Sequence, residues 1–181
     1  MTNAMKYKVG LFIGRFQPFH KGHESIVRKM LEECEKVIIA IGSAQESGTV
    51  VNPFRYEYRR LMIQKVFPEY FERITILGIT DRATPSDDES WGEYLLNTIY
   101  QSINIKPDVI YQGIENKHDH WFDSFDIHIV NINRGIIKVS ATEIRKTILE
   151  DDFEYFKTFM PEALHSEFKN LRKILKDVES N

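Results

Sequence analysis

Apolar and polar positions alternate between two periods along this chain. Val9–Ile13 and Val37–Ile41 are short, continuous and rich in β-branched residues, as strands buried on both faces should be. Ile74–Ile79, Val109–Tyr111 and Ile127–Ile132 repeat the pattern more weakly. Between these runs, apolar residues recur at helical spacing over about 21–35, 55–67 and 89–103. The alternation predicts an α/β fold, a Rossmann-like doubly wound parallel sheet of about five strands with helices on both faces. Right-handed crossovers bring the C-terminal ends of all strands to one edge, where open α/β sheets bind ligands.

The pattern changes after Ser140 to helix, break, helix. Pro161 followed by Glu162 suits a helix start. Leu164, Phe168, Leu171 and Leu175 predict an amphipathic helix over 161–178 that packs on the domain or on a partner subunit. No repeat, low-complexity segment or linker interrupts the chain. Residues 1–181 therefore read as a single domain, with a core over about 8–150 and a C-terminal helical tail over about 151–181.

Composition narrows the function classes. The 181 residues are 42% hydrophobic and 28% charged, the balance of an ordinary globular protein. A net charge of −3 argues against a general nucleic-acid binder, which needs a basic face. Cys34 is the only cysteine, so no intrachain disulfide or cysteine metal cluster forms, and it reads as a small apolar residue. No apolar stretch approaches the ~18 residues of a membrane span. Met1–Lys8 lacks the apolar core of a secretory signal. A cytoplasmic location without membrane partners is the expectation.

Candidate chemistry lies where the predicted strands end. Gly14-Arg15-Phe16-Gln17-Pro18-Phe19-His20-Lys21-Gly22-His23 joins the first strand to the first helix. Gly14 lets backbone approach a phosphate closely, and Gly22 keeps the surface low between two histidines on one side of a helical turn. A helix N-terminus offers unpaired N–H groups and a positive dipole end. His-x-x-His is also the spacing of a metal pair, but no third ligand is near in sequence. It is equally compatible with a simple helix cap. A Walker P-loop is excluded, because Gly14 lacks the Gly-Lys-Ser/Thr that must follow. The second candidate is Ser140-Ala141-Thr142-Glu143-Ile144-Arg145. Ser140 and Glu143 match a capping box, with Thr142 and Arg145 one turn apart on the same helix start.

GRFQPFHKGH resembles the HxGH signature of the nucleotidyltransferase superfamily, and its full length resembles the archaeal-type nicotinamide mononucleotide (NMN) adenylyltransferases. SATEIR resembles that superfamily's S-x-T-x-x-R triphosphate motif, with Ala141 where glycine is usual. Gly42-Ser43-Ala44-Gln45-Glu46-Ser47 and Asn52-Pro53-Phe54 resemble the GSAQxS…NPF segment of the NMN enzymes. The likeness runs over about residues 8–160. It implies transfer of AMP from ATP to NMN, giving NAD and pyrophosphate, with Mg²⁺ entering alongside ATP and no metal ligands on the chain.

Residue by residue, the resemblance implies catalytic roles for His20, His23 and Arg15. It implies ATP contacts at Gly14, Phe16, Gly22, Lys138, Ser140, Thr142 and Arg145, with Arg134 adding charge nearby. It implies NMN contacts at Ser43, Gln45 and Asn52, with Trp91 stacking on the nicotinamide ring. Trp91 also fits the packing face of a helix. Tyr111-Gln112-Gly113 matches the family's Tyr-Ser-Gly-Asn in part, and His118-Asp119-His120 reads as a solvated loop. The family's histidine and basic residue before NPF are replaced by Gly48 and Val51, which leaves Arg55, Arg59 or Arg60 as substitutes for the lost phosphate contact. Those departures keep open another phosphorylated acceptor, such as nicotinic acid mononucleotide or phosphopantetheine. A non-catalytic nucleotide-binding regulator is the alternative of another class. Members of the family are often homo-oligomers.

Overall fold

A computed structural model describes residues 4–82, 88–114, 119–133 and 137–181. Five strands, β1 (Tyr7–Gly14), β2 (Cys34–Ile41), β3 (Ile74–Gly78), β4 (Val109–Gly113) and β5 (His128–Ile132), form one parallel sheet in the order β3-β2-β1-β4-β5. The chain steps outward from β1 through β2 and β3, then crosses back to β4 and β5. The order reverses between β1 and β4, and this is the point where a doubly wound sheet opens a crevice at its C-terminal edge.

The strand residues alternate faces, as a two-residue period requires. Phe12, Val37, Ile39, Ile41, Val109 and Tyr111 point into one core. Leu11, Ile38, Ala40 and Ile110 point into the other. Helix α1 (Lys21–Glu33) and helix α2 (Tyr56–Val66) pack on the first core through Ile26, Val27, Met30, Met62 and Ile63. Helix α3 (Asp88–Ile103) packs on the second through Leu95 and Ile99. The expected helices on both faces are therefore present.

Strands β1 and β4 run longer than expected, and two further differences change the local structure. The first helix stops at Glu33 rather than near 35, and β2 begins at Cys34. Cys34 is fully buried and pairs in register with Tyr7, so strand pairing takes over the last residues of the helical pattern. The tail consists of α4 (Ala141–Leu149), α5 (Phe153–Phe159), a 3₁₀ segment (Glu162–Glu167) and α6 (Phe168–Glu179). Pro161 thus starts a 3₁₀ turn, and the α-helix begins later. Leu164, Phe168, Leu171 and Leu175 are all buried in the first core, so this face packs on its own chain. Tyr58 of α2 donates to Glu167 at 2.6 Å and accepts from Asn170 at 3.0 Å, and Lys65 pairs with Glu167, pinning the tail across α2. Among the described residues, no helix is long and apolar enough to cross a membrane.

Candidate active site

A cleft of about 570 Å³ lies over the C-terminal ends of β1 and β4, within the size range of small-molecule sites. Its walls come from segments far apart in the chain. Gly14, Arg15, Phe16, His20 and His23 enter from the β1–α1 loop, Ser43 from the loop after β2, and Trp91 from α3. Ser140, Thr142 and Arg145 enter from the start of α4. Arg145 Nη1 donates to the Gln17 carbonyl at 2.8 Å, so the two motifs of the sequence are joined directly. Four expected residues do not line the cleft, although Gly22 bonds to His20 and Gln45 to Asp81. Gly22, Lys138, Gln45 and Asn52 are absent from the cleft lining, and Lys138 is exposed. Arg134 and His118 fall outside the described residues.

The entry of α1 is built by the histidines themselves. His20 is the N-cap, extended at φ −134 and ψ 175, and its Nδ1 accepts from the Gly22 N–H at 3.1 Å. His23 Nδ1 accepts in turn from the His20 N–H at 3.2 Å, completing a capping box. The two rings stack at 3.7 Å. A backbone N–H can only donate, so both Nδ1 atoms carry lone pairs and the neutral rings hold their protons on Nε2. At this helix start the imidazoles therefore take up two of the backbone N–H groups, and the rings carry N–H donors of their own on Nε2. His20 is 2% exposed, and the Phe16 ring stands edge-on to His23 at 4.9 Å. Phe16 is itself buried and sits at φ 53, and a Cβ on Gly14 would lie 2.9 Å from its ring, which accounts for glycine there.

The entry of α4 uses the same device with other side chains. Ser140 Oγ accepts from the Glu143 N–H at 3.2 Å, and Glu143 Oε2 accepts from the Ser140 N–H at 2.8 Å and its hydroxyl at 2.9 Å. The bond from the Ser140 backbone, then that from its hydroxyl, hold the Glu143 carboxyl below the usual carboxylate range. Arg145 Nη2 donates to Thr142 Oγ1 at 3.3 Å. Burial, and then the charge of Arg15, push the Arg145 guanidinium down. Two like charges therefore line one cleft, an arrangement that favours a polyanion there.

At the loops after β2 and β3, Ser43 and Gln45 are tied to Asp81. Ser43 Oγ donates to Oδ1 at 3.2 Å, Gln45 Nε2 donates to Oδ2 at 3.0 Å, and the Asp81 N–H donates back to Gln45 at 3.1 Å. Gln45 thus acts on the cleft through Asp81. Trp91 stacks on Tyr94 at 5.2 Å and meets the edge of Trp121 at 5.9 Å. A Cβ on Gly92 would lie 1.8 Å from the Trp121 carbonyl, so only glycine permits α3 to approach that segment.

Asp81 and Trp121 also line the cleft, although sequence reasoning assigned neither a role in the site. Both follow strands, the one signal that marked them. Arg59 corrects a further expectation. It is fully buried and donates to backbone carbonyls of two loops, so it is unavailable to an acceptor phosphate. Among the described residues, no group of three or more His, Cys, Asp or Glu side chains could hold a metal ion.

The comparisons agree with this geometry. The cytidylyltransferase-like family matches residues 11–147. The chain belongs to that family. The nicotinamide-nucleotide adenylyltransferase of Sulfurisphaera tokodaii is 30% identical over 94% of this chain and 97% of its own. The enzyme of the same name from Thermoplasma acidophilum is 55% identical over 71 residues, which span only 39% of this chain and 38% of that one. Among solved structures, a bifunctional NMN adenylyltransferase/ADP-ribose pyrophosphatase from Francisella tularensis, complexed with AMP and a Mn ion, superimposes with a TM-score of 0.76. It is 23% identical, and the match covers 96% of this chain and 52% of that one, so the chain spans about half its length. At that identity the likeness is one of fold. Within the cytidylyltransferase-like family, the cleft occupies the position that a doubly wound sheet offers to a nucleotide.

Proposed function

We infer that this chain is a nicotinamide-nucleotide adenylyltransferase that transfers AMP from ATP to NMN, forming NAD and releasing pyrophosphate. The observation that carries the reading is the meeting of the histidine motif and the Ser140–Arg145 motif in one cleft, joined through Arg145 and the Gln17 carbonyl. Near full-length similarity to an archaeal enzyme of that name supports it. The whole chain acts as one domain, since the tail contributes Leu164 and Leu171 to the core under the cleft.

The NMN phosphate is already an anion, so attack on the α-phosphate needs no general base and no covalent intermediate. The protein's work is positioning and charge stabilisation. The Nε2–H groups of His20 and His23 and the guanidinium of Arg15 donate to the α-phosphate as charge develops there. Thr142, Ser140 and Arg145 hold the β and γ phosphates. Trp91 offers a flat face to the cationic nicotinamide ring, and Ser43 orients the acceptor. Among the described residues, Asp81 is the only carboxylate on the cleft wall, and it is engaged by Ser43 and Gln45, which fits a metal carried by the triphosphate better than one caged by protein. Mg²⁺, bound with ATP, would neutralise the polyphosphate and the departing pyrophosphate.

A second reading keeps the chemistry and changes the acceptor. Val51 lines the cleft and Gly48 sits at φ 70, where the resemblance leads one to expect a base and a histidine. One assay separates the readings. Incubation with Mg-ATP and, in turn, NMN, nicotinic acid mononucleotide or 4′-phosphopantetheine should give NAD from NMN by mass. Pyrophosphate release with another acceptor alone would replace the substrate and keep the mechanism. Absence of turnover with all three would sink the enzymatic reading of this cleft.

A further inference from the structure

We propose that Arg59 is a positioning residue for adenylyl transfer, clamping the loop that carries Arg15 to the loop that carries Ser43 and so setting the distance between nucleotide donor and acceptor. The proposal rests on the function inferred above. Arg59 lies on the inner stripe of α2 with Tyr58, Met62 and Ile63, and it heads the fully buried side chains by volume. An arginine is almost never buried without a compensating partner. Here Nη1 donates to the carbonyls of Arg15 at 2.9 Å and Gly42 at 2.8 Å, and Nη2 donates to the Ser43 carbonyl at 2.9 Å.

The clamped carbonyls sit at strained backbone. Phe16, which follows Arg15, has φ 53, and Ser43 has φ 47. Non-glycine residues persist in this left-handed region only where the surroundings over-determine it. The two loops touch otherwise through the Gly42 N–H, which donates to the Gly14 carbonyl at 2.9 Å. A planar fork with fixed donor directions holds three carbonyls at set angles, and a lysine ammonium cannot reproduce that. Burial pulls the Arg59 pKa down to about 10, so the group stays cationic at neutral pH. It adds positive charge beneath a cleft that is expected to hold a polyphosphate, without lining that cleft.

Arg59→Met and Arg59→Lys test the clamp. Each is assayed for kcat, for both KM values, and for affinity and stoichiometry of Mg-ATP binding by calorimetry. Each binding pocket is kept when the loops drift apart, whereas the in-line geometry between them is lost. The expected result for R59M is Mg-ATP affinity within about threefold of wild type and a full count of binding sites. Its kcat should fall about 10²-fold, the scale of an ångström-sized misplacement. R59K should recover part of that loss. A kcat within about threefold of wild type overturns the proposal. So does a loss of rate matched by an equal loss of Mg-ATP sites, which means dead protein rather than misaligned protein. If R59M does not fold, the same readouts on R59K decide. Wild type that turns over with none of the three acceptors removes the functional reading, and this proposal with it; active wild type beside an unimpaired R59M removes this proposal alone.

Discussion

The starts of α1 and α4 face the same cleft, and both are closed by a capping box, yet the boxes are made of different chemistry. At α1 the box is two imidazoles, one of them 2% exposed. At α4 it is a serine and a glutamate, both at the rim. A box takes up two of the backbone donors that would otherwise bind an anion. At α1 the replacement donors are the Nε2–H edges of the same side chains that close the helix. At α4 the box leaves a carboxylate at the anion end of the helix, and recognition falls on the side chains of Ser140, Thr142 and Arg145. The same local device therefore makes one helix start inseparable from the chemistry and leaves the other adjustable.

The largest test of that contrast is His23→Ala. Loss of a preorganised donor at the α-phosphate should lower kcat by about 10²–10³-fold, read from initial rates of NAD formation. The same change leaves the His20 N–H without its acceptor, so a lost cap of about 1 kcal/mol is expected in thermal unfolding. His20→Asn separates the two roles. Asparagine is a preferred N-cap and should keep the melting temperature near wild type while removing the ring donor. If H20N also keeps its full kcat, the imidazole at that position is only a cap and the contrast collapses.

Next in size is Arg145→Ala. A charge-assisted hydrogen bond contributes about 1.5–3 kcal/mol, so the KM for ATP should rise about 10–100-fold while kcat changes less. An unchanged KM would take Arg145 out of the triphosphate site. It would leave that side chain as a strut between α4 and the Gln17 carbonyl.

Legibility in sequence followed the range of the interactions. The strands were readable because β-branched runs buried on both faces have no polar alternation to obscure them. The histidine motif and Ser140–Arg145 were readable because each is a local pattern at a helix start. The junction at Cys34 was not, since residues 34 and 35 continue a helical pattern and only pairing with β1 makes them strand. Arg59 read in sequence as a substitute for the lost phosphate contact, because its true partners are carbonyls up to 44 residues away. Asp81 gains its place only when Ser43 and Gln45 fold against it, and Trp121 only because Gly92 admits its carbonyl. Long-range partners of this kind leave no periodic trace.

Glu143→Gln gives the smallest and most selective effect. Glutamine keeps an oxygen to accept from the Ser140 N–H, so the box survives in outline, while the negative charge beside the proposed triphosphate site disappears. The KM for ATP should fall about two- to fivefold at low salt, and the gain should fade as ionic strength rises. Stability should move the other way. The Glu143 carboxyl is held below its ordinary value of 4.5 by the bonds from Ser140. A group whose pKa is lower folded than unfolded stabilises the fold above the unfolded value and loses that contribution as pH falls through the folded one. Wild type should therefore melt slightly above E143Q at neutral pH, with the gap shrinking below pH 4.5 and closing once the wild-type carboxyl is protonated. A gap that persists unchanged into acid would mean that the box at α4 is held by shape alone, as a neutral pair would be, and the chemical contrast with α1 would lose its electrostatic half.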